Sequence, residues 1–196
     1  MSEQVYGNSD GIITINNGNS LNIWTQNSAY TYTIPRFFRP DLVVTEAVNS
    51  GSIDLTGNQT YGANLLWKTN GNGDITVTGA TAGDQASNII LSALETQSGD
   101  INITTQNGAI DFLGNVTTQG GNITAEATDQ NSITANIDSN GGNVALTGGG
   151  QNFWDTGVYI RVGSEISSHN GDVNLTGQNT KVAINGKVYA GNGNIQ

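Results

Sequence analysis

Short apolar alternations, each opened by a glycine, recur along this chain. Gly51-Ser52-Ile53-Asp54-Leu55 is followed by Gly73-Asp74-Ile75-Thr76-Val77 and Gly99-Asp100-Ile101-Asn102-Ile103. The pattern returns as Gly121-Asn122-Ile123-Thr124-Ala125, Gly142-Asn143-Val144-Ala145-Leu146 and Gly171-Asp172-Val173-Asn174-Leu175. A cut copy, Gly193-Asn194-Ile195-Gln196, comes last. The glycines are 22, 26, 22, 21, 29 and 22 residues apart. Within each run aliphatics alternate with polar residues, the pattern of a strand with one buried face. No stretch keeps a 3.6-residue period for three turns. A fixed period of this length is the mark of stacked repeats, with the longer steps accommodating loop insertions.

Each unit holds a second apolar run: Ala63–Trp67, Asn88–Leu91, Ala109–Phe112, Ser132–Ala135, Val158–Val162 and Lys181–Ile184. A third short run often precedes the next glycine, as in Asn115–Thr117, Asn136–Asp138, Glu165–Ser167 and Lys187–Tyr189. Asn-Gly pairs punctuate the chain, at Asn107-Gly108, Asn140-Gly141, Asn170-Gly171 and Asn185-Gly186 among others. Such pairs tolerate positive φ and mark tight turns. They also suit antiparallel hairpins, so a β-sandwich or β-prism is the alternative. The registered repetition favours an all-β parallel β-helix, or β-solenoid, of about 22-residue coils. It stacks Ile53, Ile75, Ile101, Ile123, Val144 and Val173 in one interior column. Leu55, Val77, Ile103, Leu146 and Leu175 form the next, and Ala125 and Ala135 thin the middle. About seven to eight coils, ~4.8 Å apart, predict a rod of roughly 35–40 Å.

One segment breaks the pattern. Residues 1–23 read as imperfect N-terminal coils, residues 24–50 as an aromatic insert, and residues 51–196 as β-helix repeats, all within one structural domain. The insert holds both prolines and Tyr30, Tyr32, Arg36, Phe37, Phe38 and Arg39. It reads either as a cap, which solenoid ends need, or as a contact loop, since exposed aromatics with Arg anchor interfaces.

Composition narrows the partners. The 196 residues carry six basic against sixteen acidic side chains, a net charge of −10. Nucleic acid is not expected, because phosphate binding relies on clustered Lys and Arg. The absence of cysteine excludes a disulfide framework and thiol-ligated metals. No apolar run approaches the ~20 residues of a membrane-spanning helix, so membrane insertion is not expected. Met1–Gly7 has neither the basic nor the apolar region of a signal peptide. An extracellular protein of this sequence is then expected to be a piece of a longer precursor, or to be exported without a cleaved signal.

The unit Gly157-Val158-Tyr159-Ile160-Arg161-Val162-Gly163-Ser164-Glu165-Ile166-Ser167-Ser168-His169-Asn170-Gly171-Asp172-Val173-Asn174-Leu175-Thr176-Gly177 resembles repeats of filamentous-haemagglutinin-like exoproteins. These are cargo of two-partner secretion, and the likeness is to their Gly/Asn/Thr-rich bacterial, notably cyanobacterial, versions. Similar units run from about Gly51 to the C-terminus. The resemblance implies a right-handed parallel β-helix, placement at the cell surface or outside it, and a role in adhesion or matrix formation. The family's N-terminal secretion domain, with its Asn-Pro-Asn motifs, is not visible. The chain is therefore expected to be a repeat-region fragment or a small stand-alone relative.

Reactive chemistry is sparse. Parallel β-helices host polysaccharide lyases and hydrolases that use clustered carboxylates. Here Asp54 and Asp111 lie on strands, while Asp74, Asp100 and Asp172 adjoin turn glycines, where they read as turn formers. His169, the one histidine, reads as a solvated turn residue. No catalytic residues and no cofactor are expected. Calcium at acidic turns is the weak exception, since no tandem calcium-binding nonapeptides occur. Outward strand positions read Asp54, Thr76, Asn102, Thr124, Ala145 and Asn174, a mixture that argues against a regular ice-binding Thr array.

The expectation is a non-enzymatic extracellular structural protein, joined head to tail into a surface fibre or matrix, or serving as an adhesin stalk. Open solenoid ends invite stacking. Tyr6, Ile13 and Ile15 are expected to pack on Val188 and Ile195 of a second copy, a contact that does not close and so propagates. Contact candidates are the insert residues, with Trp154 and Tyr159 near the longest insertion, Gly148 to Thr156. Aromatics there also suit sugar rings, so a module binding surface glycans is the alternative, and a polysaccharide-active enzyme a third.

Overall fold

The computed structural model describes residues 12–15, 20–24, 41–45, 53–54, 66–69, 73–79, 88–105, 107–150 and 155–196. These form twenty strands and no helix, and every strand pairing is parallel. Sheet A runs β18 (Val173–Gly177), β15 (Val144–Gly148), β12 (Ile123–Ala127), β9 (Ile101–Thr105), β6 (Ile75–Gly79), β2 (Ser20–Trp24), β3 (Asp41–Thr45). Sheet B runs β19 (Lys181–Ile184), β16 (Thr156–Ile160), β13 (Asn131–Ile133), β10 (Ile110–Phe112), β7 (Ile89–Leu91), β4 (Ile53–Asp54). Sheet C runs β1 (Ile12–Ile15), β5 (Leu66–Thr69), β8 (Ala93–Thr96), β11 (Val116–Thr117), β14 (Ile137–Asp138), β17 (Glu165–Ser167), β20 (Lys187–Tyr189).

From β6 onward the chain visits A, B and C in turn, giving five in-order coils of a parallel β-solenoid. Five coils run in order against the seven to eight expected, and the N-terminal strands, which enter out of order, bring the sheets to six or seven strands. β3 pairs outside β2, so sheet A is extended by a strand from the expected insert. Ile53 is also corrected. It lies opposite Ile89 in sheet B, whereas Leu21 and Ile23 take the places beneath Ile75 and Val77. Both segments carry two aliphatics two residues apart, so alternation cannot distinguish them. β5, expected among the second runs, lies in sheet C opposite β8 for the same reason.

In the regular coils the columns stand as the alternation predicts. Ile75, Ile101, Ile123, Val144 and Val173 are in register and fully buried. Each such side chain contributes about 1.5–3 kcal/mol on burial. Core volume falls at Ala125 and Ala127 on β12 and rises at Phe112 on β10. Ala135 is no part of this column; it lies half-buried in a bend between β13 and β14. Asn131 is fully buried on β13, where its Nδ2 donates to the Thr147 carbonyl at 2.8 Å.

A second interior column is polar. Thr69, Thr96, Thr118, Ser139 and Ser168 are fully buried. Thr69, Thr96, Thr118 and Ser139 donate to Gly73, Gly99, Gly121 and Gly142, the carbonyls that open the next strand of sheet A. Ser168 also donates to the Gly142 carbonyl. The hydroxyls thus satisfy backbone groups where the chain turns from C to A; left unpaired, those carbonyls would destabilise each corner. The Thr118 hydroxyl lies 2.7 Å from the Gly121 carbonyl and 2.8 Å from that of Ser139. Thr118→Val keeps the shape and removes the donor; unfolding free energy should fall by about 1–3 kcal/mol in urea denaturation. Thr118→Ser should stay near wild type.

Glycine follows from the same corner. A Cβ at Gly99, Gly121, Gly142, Gly171 or Gly193 would lie 2.1–2.3 Å from the carbonyl oxygen of the matching glycine one coil earlier. Of the Asn-Gly pairs above, Asn140-Gly141 adopts positive φ at both residues. Gly171 and Gly186 are instead required by close backbone approach. The extra length of the 29-residue step falls between β15 and β16, where Gly148 and Gly157 lie against each other. A Cβ on Gly148 would meet the Gly157 oxygen at 1.8 Å.

Candidate functional site

Of the expected contact residues, Ile13, Ile15, Tyr159, Val188 and Ile195 are among the described residues, on different sheets or at opposite ends of one sheet. Tyr30, Tyr32, Arg36, Phe37, Phe38, Arg39, Trp154 and Tyr6 lie outside the described residues. Ile13 and Ile15 are on β1, at the edge of sheet C, opposite Trp67 and Thr69. Val188 and Ile195 both lie at the C-terminal end of the stack but on different sheets: Val188 opposite Ile166, and Ile195 bridged to Val173. Val188 packs partly buried on the core, while Ile195 is 53% exposed. Tyr159 stands apart on the outer face of sheet B. Its Oη accepts from Asn185 Nδ2 at 3.2 Å, and the Arg161 guanidinium lies 5.4 Å from its ring centroid.

The carboxylates beside the turn glycines have a structural task, but a different one from the local turn bonds expected. Asp74 Oδ1 accepts from the Asp100 backbone N–H at 2.8 Å, and Asp100 Oδ1 from that of Asn122 at 2.7 Å. Asn122, Asn143 and Asp172 pass the pattern on to Asn143, Asp172 and Asn194. Each side chain therefore ties its coil to the following one. A shorter ladder at another corner runs from Asn115 to Asn136 to Glu165. Among the described residues, no group of three or more His, Asp or Glu side chains is placed to hold a metal ion.

Outward faces carry the remaining chemistry. Sheet A presents the mixed row Thr76, Asn102, Thr124, Ala145, Asn174. Beside it runs a second row, Thr78, Thr104, Glu126, Thr147, Thr176, which single-strand inspection does not reveal because it needs the register between coils. Sheet C presents Lys68 paired with Glu95, then Thr117, Asp138, Ser167 and Tyr189 on successive rungs.

Against Asp138 and Tyr189 lies His169, in the turn after β17. Its Nε2 is 3.7 Å from Asp138 Oδ2, and its ring meets that of Tyr189 edge-on, with centroids 6.0 Å apart. Asp138 Oδ1 accepts the Asn140 backbone N–H at 2.9 Å, which fixes the carboxylate. His169 is thus engaged by two side chains from neighbouring coils rather than simply solvated. The signal in the sequence is Lys187-Val188-Tyr189, whose alternation turns Val188 inward and Tyr189 outward. No known protein family, curated protein or solved structure matches the chain.

Proposed function

We propose that this chain is a non-enzymatic structural solenoid that works outside the cell, as a rigid stalk or as the unit of a head-to-tail fibre. The observation that supports it is the last coil. Leu175, Val182 and Val188 are only partly buried, whereas Leu146, Val158 and Ile166, one coil earlier, are fully buried. Ile184, on β19, is exposed in the same way. These positions are shaped to receive one more coil, and β19 and β20 offer sheet edges in the parallel sense. A second copy of the chain offers the opposite edges of the same sheets, at β4 and β1. A contact of this kind is heterologous and grows into a filament.

Negative-stain electron microscopy of the purified chain tests the reading. Fibres one solenoid wide are expected, and removal of residues 187–196 should abolish them. Monodisperse short particles at high protein concentration would overturn the fibre.

A further inference from the structure

We infer that Tyr189, His169 and Asp138 form a binding site for a sugar with two adjacent hydroxyl groups. Three observations carry it. Tyr189 projects from the outer face of sheet C with 52% of its surface exposed, on the last rung of a column whose preceding members are Asp138 and Ser167. A broad aromatic face open to solvent on a flat sheet suits the C–H face of a pyranose, because the ring is apolar in body and polar at its tip. Ser167, on the rung between, is buried, so the exposed surface of the cluster is that of Tyr189 and His169.

The polar pair supplies direction. Asp138 Oδ2 and His169 Nε2 are 3.7 Å apart, too far for a hydrogen bond with each other. Oδ2 is an acceptor, and a ring nitrogen of histidine is a donor in one tautomer. A donor and an acceptor side by side match a vicinal diol: one hydroxyl donates to Asp138 while its neighbour accepts from His169. The His169 and Asp138 side chains are 53% and 27% exposed, and the Asn140 N–H holds the carboxylate through its other oxygen. The site lies on the outer face of sheet C at β20, the edge strand that the proposed fibre joins to β1 of the next copy.

His169 is the one histidine of the chain, so its Hε1 proton is an unambiguous NMR reporter. The probes are methyl α-D-mannopyranoside, methyl β-D-glucopyranoside and the 3-deoxy counterpart of each, with glycerol as the reference for non-specific hydroxyl effects. At least one pyranoside should shift the His169 and Tyr189 signals to saturation, and its 3-deoxy form, which has no adjacent hydroxyl pair, should bind about tenfold more weakly. Tyr189→Ala and Asp138→Asn should each weaken binding about tenfold or more while leaving the circular dichroism spectrum unchanged. Shifts no larger than those of glycerol overturn the site, as does undiminished binding by folded Tyr189→Ala. Electron microscopy of the same samples reports separately on fibre formation.

Discussion

Gly121→Ala is expected to unfold the middle of the solenoid, at a cost of about 4 kcal/mol or more. The added Cβ would sit 2.1 Å from the Gly99 carbonyl oxygen, 2.6 Å from the Gly99 carbonyl carbon and 3.1 Å from the Ser98 oxygen. All three are backbone atoms, so no rotamer change relieves the overlap. Relief requires the two coils to part. That pulls Asn122 N–H from Asp100 and the Ile101 N–H from the Asn122 carbonyl, bonds of 2.7 and 2.8 Å. It also draws Gly121 away from the Thr118 hydroxyl. Gly163→Ala is the control. Gly163 has φ +90, and a methyl group placed on its Cα would meet nothing within 4 Å, so only backbone strain of about 1–3 kcal/mol is expected. Urea denaturation of the two variants should give a much lower midpoint for Gly121→Ala. Equal midpoints would mean that the corner spacing relaxes freely.

Phe112→Ala is the second large effect, expected to cost about 3–5 kcal/mol. Among the described residues Phe112 is the largest fully buried side chain, stacked between Leu91 and Ile133, themselves fully buried. Its removal leaves a void that coils pinned by backbone ladders on either side cannot close. Phe112→Leu should lose less than about 1.5 kcal/mol if the core repacks around it. The damage should be local first. In a solenoid each coil contacts only its neighbours. Amide hydrogen exchange should therefore quicken in β7, β10 and β13 before it does in β18. Uniform loss of protection would show a core that melts as one unit.

Much of this architecture is legible in the sequence. Ile75, Ile101, Ile123, Val144 and Val173 alternate with polar residues at a constant offset from glycine, and parallel pairing in register follows from that offset. The N-terminal order is not legible. Leu21-Asn22-Ile23 and Ile53-Asp54-Leu55 are alike in alternation, and long-range pairing decides between them. The buried hydroxyl column is present as Thr or Ser three residues before the motif glycine, at Thr96, Thr118, Ser139 and Ser168. It escapes a reading based on hydrophobicity because a hydroxyl that bonds a backbone carbonyl is buried for a reason hydropathy does not measure. The Tyr189, His169 and Asp138 cluster escapes for another. Its members are separated by 31 and 20 residues and meet only through stacking of consecutive coils.

The corner ladder has a consequence for how such a chain can diverge. Asp74, Asp100 and Asp172 accept the next coil's N–H through a carboxylate oxygen, and Asn122 and Asn143 through an amide oxygen. The backbone donor requires an acceptor at a given place and is indifferent to the charge that accompanies it. Mutational drift between Asp and Asn at this column can therefore retune the surface potential of the whole rod, coil by coil, while the architecture beneath stays fixed.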